Sequence, residues 1–234
     1  RPSGHVGQNM SYLSPHFFQV LFDPSHGLFF WSPLLLLAAA GLVGVSDFGV
    51  TEWGFLGIIS VGCLILARLD PPRWAVVGLA FVLSSILTLI LGTRSNHALF
   101  PGIVLGLAAI YALGSYICLW RSTLAARWAT LSVVAGLTAF GLAWWYMPGL
   151  IWQGWQWGLV SLALSGGYAL GAWPVLRRRA TLPRGEQVLA ALLVGSSAFL
   201  ALAMPLAFTA QWISVAWALL IPLIAFIDSR LKVP

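Results

Sequence analysis

The chain has 234 residues, of which 60% are hydrophobic and only 8% are charged, with a formal net charge of +6. A typical soluble domain is about 25% charged, so this sequence cannot supply a water-facing surface. Apolar runs recur from residue 27 to residue 227, which indicates a multi-pass integral membrane protein and excludes a soluble enzyme with one hydrophobic tail, a single-pass anchor and a peripheral amphipathic helix.

The first predicted element is residues 1–26, interpreted as an N-terminal loop or an interfacial segment. It contains His16, Asp23 and His26, residue types that can form a metal or acid–base cluster. Asp23 and His26 lie within an Asp-Pro-Ser-His-Gly stretch, however, and that composition is more typical of a turn. We therefore predict a turn here.

Eight apolar segments follow and form one predicted polytopic domain, residues 27–234. Crossing about 30 Å of hydrocarbon takes a helix of about 20 residues, and each segment meets or approaches that length. Transmembrane strands are excluded because apolar runs such as residues 34–40 do not alternate with polar residues. The predicted fold class is an all-α integral membrane protein of about eight transmembrane helices, at residues 27–45, 50–67, 74–92, 99–120, 128–147, 155–176, 188–208 and 209–227.

The predicted helices carry few groups that perform chemistry. None of the 4 histidines lies in one, so ligation of haem or a pigment through imidazole is disfavoured. Cys63 and Cys118 lack the spacing of a redox or metal pair and are interpreted as packing residues. Every charged residue lies in a loop or near a helix end, which disfavours an ion-coupled pump. We predict no catalytic residue, no cofactor and no metal.

The positions of the basic residues predict the orientation in the membrane. Eleven of the 12 Lys and Arg residues lie in one alternating set of loops and chain ends, whereas the opposite set holds only Arg94, beside Asp47 and Glu52. Basic loops stay cytoplasmic, so we expect both termini on the cytoplasmic side of a bacterial inner membrane. The positive charge then reflects orientation and does not indicate a nucleic-acid partner. Tryptophans near the predicted helix ends, where indoles favour the headgroup zone, agree with these boundaries: Trp53, Trp74, Trp120, Trp128, Trp152, Trp155, Trp157 and Trp212.

Two basic features are candidates for phosphate contacts. Arg177, Arg178 and Arg179, followed by Arg184, form the densest basic patch, which is explained by orientation alone or by contact with the phosphates of anionic lipids. On the opposite side, Arg94 departs from the charge rule and is a candidate for holding a phosphate or carboxylate, or for a solvated cap between two helices.

The chain contains an internal repeat. Residues 105–121 align without gaps on residues 162–178 with eight identities in seventeen positions, and the shared offset of 57 also places Arg127 on Arg184 and Met147 on Met204. We predict tandem two-helix hairpins, with units at about 105–161 and 162–218. Because each unit crosses the membrane twice, successive copies keep the same orientation, unlike inverted repeats of secondary transporters.

Small residues are frequent in the predicted helices, and most of them are interpreted as helix-packing positions. The Gly102–Gly106 pair has the GxxxG spacing, and Gly114 and Gly171 fit the same interpretation. Hydroxyl side chains, including Ser84, Ser161, Ser165 and Ser196, either permit close helix contact or line a path for a lipid or small molecule.

The later part of the chain resembles a known family. The stretch Ala198-Phe-Leu-Ala-Leu-Ala-Met-Pro-Leu-Ala-Phe-Thr-Ala-Gln-Trp-Ile-Ser-Val-Ala-Trp-Ala-Leu219 is similar to a family of predicted bacterial multi-pass membrane proteins of unknown function, over residues of about 105–227. The resemblance implies a tandem array of membrane helices and no established reaction.

A second resemblance covers residues of about 8–45. The stretch Leu21-Phe-Asp-Pro-Ser-His-Gly-Leu-Phe-Phe-Trp-Ser-Pro33 is similar to a late segment of bacterial polytopic glycosyltransferases that use lipid-linked sugars. It implies the membrane portion of such an enzyme, with Asp23, His26 and Arg94 contributing to phosphate or substrate binding. It also implies an extracytoplasmic site, whereas the charge count places Asp23 and His26 on the cytoplasmic side.

The leading functional hypothesis is a non-catalytic scaffold or accessory subunit that packs against membrane lipids and other integral membrane proteins. The alternatives are the membrane portion of a lipid-linked-sugar glycosyltransferase and, third, a lipid or small-molecule transporter.

Overall fold

The computed structural model describes residues 50–93, 99–120, 122–147 and 154–207, together with residues 41, 218, 221, 222 and 225. The four continuous ranges form six long helices, named α1 to α6 in chain order. They are α1 (Val50–Leu69), α2 (Trp74–Thr93), α3 (Phe100–Leu119), α4 (Ala125–Tyr146), α5 (Gly154–Arg178) and α6 (Gly185–Ala207). The part of the chain that the structure describes contains no strand, as the sequence predicts.

Proline fixes the connection between α1 and α2. The backbone of Asp70 is extended, and a short 3₁₀ turn, Pro71–Arg73, follows it directly and leads into α2. Proline suits this first position because it has no N–H to leave unpaired and its φ angle is already helical. The Asp70 carboxylate accepts from Arg73 Nε at 2.8 Å and closes the turn.

Helix α3 starts with proline at its N-terminal end and contains a π-helical segment, Ala108–Leu113. The backbone stays helical on both sides of this segment, so the residues form one continuous rod. A π turn widens the helix locally and changes which side chains share a face. Tyr111, in the middle of the segment, is thereby buried in the bundle.

The described helices run alternately up and down. Arg68, near the end of α1, donates from Nη2 to the carbonyl of Trp120, directly after the end of α3, at 3.0 Å. Trp74 and Trp128, near the starts of α2 and α4, have ring centroids 6.4 Å apart. The ends of α1, α3 and α5 therefore meet the starts of α2, α4 and α6, and we name this the basic end.

Two buried clusters fill the bundle. The larger lies towards the basic end and is centred on Trp128, Tyr111, Leu192 and Val77. The smaller lies towards the opposite end, where Phe140 contacts Trp157 and Phe199 edge-to-face at 5.9 and 5.8 Å. Both clusters draw on residues from several helices, so the six helices pack around a common interior.

Five of the described helices are long and apolar enough to cross a membrane: Pro71–Leu91, Phe100–Leu119, Ala125–Tyr146, Trp155–Arg178 and Gly185–Ala207. The apolar part of α1, Trp53–Leu69, is shorter. The predicted helices at 27–45 and 209–227, like the predicted loop at 1–26, lie outside the continuously described ranges. The number eight therefore stays a prediction.

The observed helix ends fall within three residues of the predicted ones, and the largest differences are at the starts of α4 and α6. The prediction placed these starts at residues 128 and 188, after the nearby arginine or glutamate, because it followed hydropathy. The backbone becomes helical earlier, since charged side chains in a first turn can reach the interface while their backbone joins the helix.

The predicted tandem repeat is compatible with the helix positions. Shifting α3 and α4 by the offset of 57 residues places them over α5 and α6 to within a few residues. The π-helical segment of α3 has no counterpart in α5, which is α-helical throughout. Any series of hairpins of similar length would give this spacing, so the duplication stays a prediction.

Candidate functional site

The described arginines all lie at the basic end. They are Arg68, Arg73, Arg127, Arg177, Arg178, Arg179 and Arg184. Two carboxylates accompany them: Asp70 pairs with Arg73 at 2.8 Å, and Glu186 pairs with Arg179 at 3.8 Å. The arginines lie in alternate loops of the sequence, and the fold brings them together at one end of the bundle.

Three arginines at this end lie over tryptophan rings. The guanidinium carbon of Arg127 is 5.8 Å from the ring of Trp74, and that of Arg178 is 5.7 Å from the ring of Trp120. In the third pair, the guanidinium carbon of Arg177 is 5.0 Å from the ring centre of Trp173, and both residues belong to α5. Arginine stacks on aromatic faces, and the first two contacts join different helices.

The predicted patch residues Arg177, Arg178 and Arg179 have different neighbours. Arg177 lies over a ring of its own helix, Arg178 reaches the end of α3, and Arg179 pairs with Glu186. Their contact with lipid phosphates stays a prediction. The other candidate residues, Asp23, His26 and Arg94, lie outside the described residues.

A cavity at the basic end brings together two arginines that the sequence analysis did not group as a site. It has a volume of about 140 Å³ and lies at the start of α4, where Arg127 and Arg184 both line it with Thr123, Leu124 and Ala126. Arg184 was assigned to the basic patch with residues 177–179. The sequence carries no signal for this contact, because the offset of 57 that aligns Arg127 with Arg184 indicates equivalent positions and not proximity.

The interior hydroxyls of the bundle connect helices. Tyr111 of α3 donates to Ser60 Oγ of α1 at 2.8 Å and lies 3.3 Å from Ser84 Oγ of α2. Tyr168 of α5 donates to the carbonyl of Ser132 in α4 at 2.7 Å. Because lipid offers no partner for such groups, each bond fixes the rotation of one helix against another.

Helices α5 and α6 are joined by a reciprocal pair of serines. Ser165 Oγ donates to the carbonyl of Ser196 at 2.8 Å, and Ser196 Oγ donates to the carbonyl of Ser165 at 3.0 Å. Nearer the opposite end, Ser161 Oγ donates to the carbonyl of Phe199 at 2.6 Å. The serines weighed as the lining of a transport path are therefore used here to hold the hairpin together.

The glycines divide into two groups. A Cβ added at Gly195 would lie 2.7 Å from Val133 Cγ2, and one added at Gly171 would lie 3.3 Å from Tyr116 Cε2, so these positions allow close helix contact. No described atom lies within 4 Å of a Cβ added at Gly102 or Gly106. The predicted GxxxG contact is therefore not made by the described residues, and this pair lines a cavity instead.

That cavity lies between the first halves of α1 and α3, towards the opposite end, and has a volume of about 310 Å³. Gly54 and Gly57 of α1 face Gly102 and Gly106 of α3 across it, with Ser60 also in its lining. Because small residues face each other from both helices, the space between them stays open. Its lining is almost entirely apolar.

Among the described residues, Trp53, Trp74, Trp120, Trp128, Trp155 and Trp157 lie near helix ends, as predicted, but two of them are not exposed to a headgroup layer. Trp128 and Trp157 are buried, and Trp128 Nε1 donates to Ser122 Oγ at 3.1 Å. The sequence predicts how far along its helix each tryptophan lies. Whether the indole ring faces the bundle interior or the lipid depends on the neighbouring helices. Among the described residues, no group of three or more His, Cys, Asp or Glu side chains could hold a metal ion.

A family model described as "Predicted membrane protein (DUF2339)" matches residues 23–232 of the chain. The chain belongs to this family. The DUF2339 match includes all six described helices and confirms the resemblance inferred from residues 105–227. Searches of curated proteins and of solved structures find no match. These comparisons do not show the glycosyltransferase resemblance of residues 8–45.

Proposed function

We propose that this DUF2339 member is a non-catalytic scaffold or accessory subunit that packs against lipids and other integral membrane proteins in a bacterial inner membrane. The observation that carries the proposal is the use of the interior hydroxyls. Ser84, Ser161, Ser165 and Ser196 all take part in bonds to neighbouring backbone or side chains. Groups committed to packing are not available to bind a substrate in transit.

The distribution of charge supports the same proposal. Within the described helices, each charged residue lies in the first or last turn. A reaction or transport step inside a bilayer typically uses an ionisable group at depth, because a charge there is expensive to keep without a role. The described interior is instead built from apolar side chains and paired hydroxyls.

The outer surface of the described bundle offers the contacts that a scaffold needs. On α1, the side chains of Phe55, Ile58, Ile65 and Leu69 are exposed and form a stripe along one face. Such a stripe would be a liability in water, but in a bilayer it can face lipid chains or partner helices. Arg177, Arg178 and Arg179 lie where lipid phosphates would surround the end of α5, and in this proposal they contact them.

The proposed orientation places the basic end and both termini in the cytoplasm. The support for it is the concentration of described arginines at that end, since basic loops are retained on the cytoplasmic side. Because the helices alternate in direction, the loop around Arg94 then lies on the outer side of the membrane.

The test is purification of the native protein from its own membrane in a mild detergent, followed by native mass spectrometry. We expect a stoichiometric complex with at least one other integral membrane protein, together with lipids. The detergents used should be ones that preserve known membrane complexes of the same cells. If the chain is recovered alone in all of them, that result contradicts a scaffold role.

The alternative function is the membrane portion of a lipid-linked-sugar glycosyltransferase, and only the stretch around Asp23 and His26 favours it. Recovery of the chain with a polyprenyl phosphate would move the assignment to sugar transfer. In that case Asp23→Asn, His26→Ala and Arg94→Gln should each abolish retention of the lipid, whereas the scaffold proposal expects no effect.

A further inference from the structure

The cavity lined by Arg127 and Arg184 has the composition of an anion site. Arg127, Arg184 and Thr123 all line it, at the start of α4. We propose that this cavity binds a phosphate group at the membrane surface, carried by an anionic lipid headgroup or by a free phosphate. The proposal goes beyond the scaffold role, because the site needs no partner protein.

The two arginines are not neutralised within the described part of the chain. Asp70 and Glu186, the carboxylates described at this end, pair with Arg73 and Arg179, and neither forms an ion pair with Arg127 or Arg184. Two like charges lining one small cavity repel each other, and an anion between them relieves that repulsion. Both side chains are exposed, so a ligand can reach them.

Arg127 makes a cation–π contact at the basic end. Its guanidinium carbon lies 5.8 Å from the centre of the Trp74 ring. The guanidinium carries five N–H donors, which arginine uses in paired contacts with phosphate oxygens.

Arg184 is positioned by a tight loop between α5 and α6. The N–H groups of Thr181 and Leu182 donate to the carbonyl of Arg178 at 3.0 and 3.2 Å, and Gly185 donates to the carbonyl of Leu182 at 3.0 Å. Arg184 itself adopts a left-handed backbone with φ of 53°. The loop therefore fixes the backbone at Arg184.

The backbone at the cavity also favours an anion. Helix α4 begins at Ala125 without a side-chain cap at Leu124, so the N–H groups of its first turn have no capping partner from that position. Ser122 Oγ accepts instead from the N–H of Leu124 at 3.2 Å and from Trp128 Nε1 at 3.1 Å. The N–H groups at the start of a helix and the helix dipole attract phosphate, in addition to the two arginines.

The size of the cavity suits the proposed ligand. The cavity has a volume of about 140 Å³ and is partly open. A phosphate group can enter it while its ester chain leaves through the open side.

The test compares two double variants of the full chain in detergent, R127Q/R184Q and R68Q/R73Q. Each removes two positive charges from the same end, but only the first changes the cavity lining. Binding of phosphatidylglycerol is measured by native mass spectrometry, with phosphatidylcholine as the zwitterionic control and inorganic phosphate as competitor. Size-exclusion profiles establish that both variants remain folded.

We expect R127Q/R184Q to weaken phosphatidylglycerol binding by about tenfold or more, because it removes charged hydrogen bonds. R68Q/R73Q should weaken it by no more than about threefold, the effect of general surface charge. The variant R127K/R184K should recover only part of the binding, since lysine keeps the charge but lacks the planar pair of donors. Equal losses in the two double variants, or no loss in either, would overturn the proposal.

The competitor identifies the source of the phosphate. If inorganic phosphate displaces the lipid and its own binding is lost in R127Q/R184Q, the ligand is a free phosphate. If only the lipid binds, the ligand is a headgroup. Binding of phosphatidylcholine equal to that of phosphatidylglycerol, unchanged in R127Q/R184Q, would show attachment of the acyl chains alone and would also overturn the proposal.

Discussion

Tyr111 is the residue whose hydroxyl joins the most helices in the described bundle. It is fully buried and links α3 to Ser60 of α1 and Ser84 of α2. It lies in the middle of a π-helical segment, and such a segment changes which side chains share a helix face. In lipid, where α-helices gain little from apolar contact, such a bond helps to select one packing arrangement over others.

Replacing Tyr111 with phenylalanine should lower the stability of the bundle. The change removes the hydroxyl and leaves the two serines without that partner, at a cost of about 0.5–1.5 kcal/mol. Thermal unfolding in detergent would measure it, with Ser85→Ala as the control, because within the described residues Ser85 Oγ bonds only to the Phe81 carbonyl of its own helix. An equal loss in both variants would contradict a specific role for the interhelical bond.

Gly195 should be required because Val133 leaves no space for a side chain, and not because the backbone at position 195 needs glycine. An added Cβ would lie 2.7 and 2.9 Å from the two γ-carbons of Val133 on α4. Valine in a helix strongly prefers one rotamer, so it cannot turn away freely. We expect Gly195→Ala to destabilise the protein by about 1–3 kcal/mol in thermal unfolding.

The matched control is Gly106→Ala, where no described atom lies within 4 Å of the added Cβ. That change should be neutral or stabilising by up to about 1 kcal/mol, because alanine favours a helix. Combining Gly195→Ala with Val133→Ala should cost less than the sum of the two single changes. A fully additive result would show that the predicted clash does not occur.

At the scale of elements, α5 and α6 form the most closely joined hairpin of the described bundle. Ser165 and Ser196 exchange hydrogen bonds, and their Oγ atoms are 3.2 Å apart. The hydrocarbon core contains no water to hydrogen-bond a serine hydroxyl, so each hydroxyl bonds to the neighbouring helix instead. The hairpin therefore has one preferred register.

Cysteines at positions 165 and 196 should form a disulfide when membranes are oxidised. The experiment uses a background in which Cys63 and Cys118 are replaced by alanine. Trypsin cleavage in the arginine-rich α5–α6 loop then separates the two helices unless the disulfide joins them. The pair Ser165→Cys with Ser197→Cys is the control, since the next residue of α6 points about 100° away and should not cross-link. Cross-linking in both pairs, or only in the control, would contradict the register.

At the scale of the whole molecule, the alternation of helix direction gathers the described arginines at one end. The alternating arrangement requires only short connections between long apolar helices. The basic end then carries strong positive charge, whereas the opposite end contains the apolar cavity between α1 and α3. A molecule with such unequal ends has one favoured orientation in a membrane.

A cysteine at Thr181, in the loop at the basic end, should be protected from a membrane-impermeant maleimide in intact spheroplasts and labelled after permeabilisation. A cysteine at Ser95, between α2 and α3, should show the reverse and react in intact spheroplasts. Both variants carry alanine in place of Cys63 and Cys118. Labelling of Thr181→Cys before permeabilisation would mean that the basic end faces outward, against the charge rule.

The sequence by itself was sufficient to predict the membrane class, the helical fold and the described helix ends to within three residues. These properties depend on hydropathy and charge along one segment at a time, which a bilayer selects by its thickness and by the asymmetry of its charge. The family could be inferred for the same reason, since its resemblance is carried by the order of apolar and small residues.

Only the tertiary structure decided which residues meet. It buried Trp128 and Trp157, left Gly102 and Gly106 beside a cavity, and brought Arg127 and Arg184 together. Such contacts depend on the rotation of each helix about its axis. A helix in lipid can be apolar on every side, so its sequence carries no strong amphipathic pattern that would specify that rotation. Close packing and interhelical hydrogen bonds specify it instead, and both exist only once the helices are assembled.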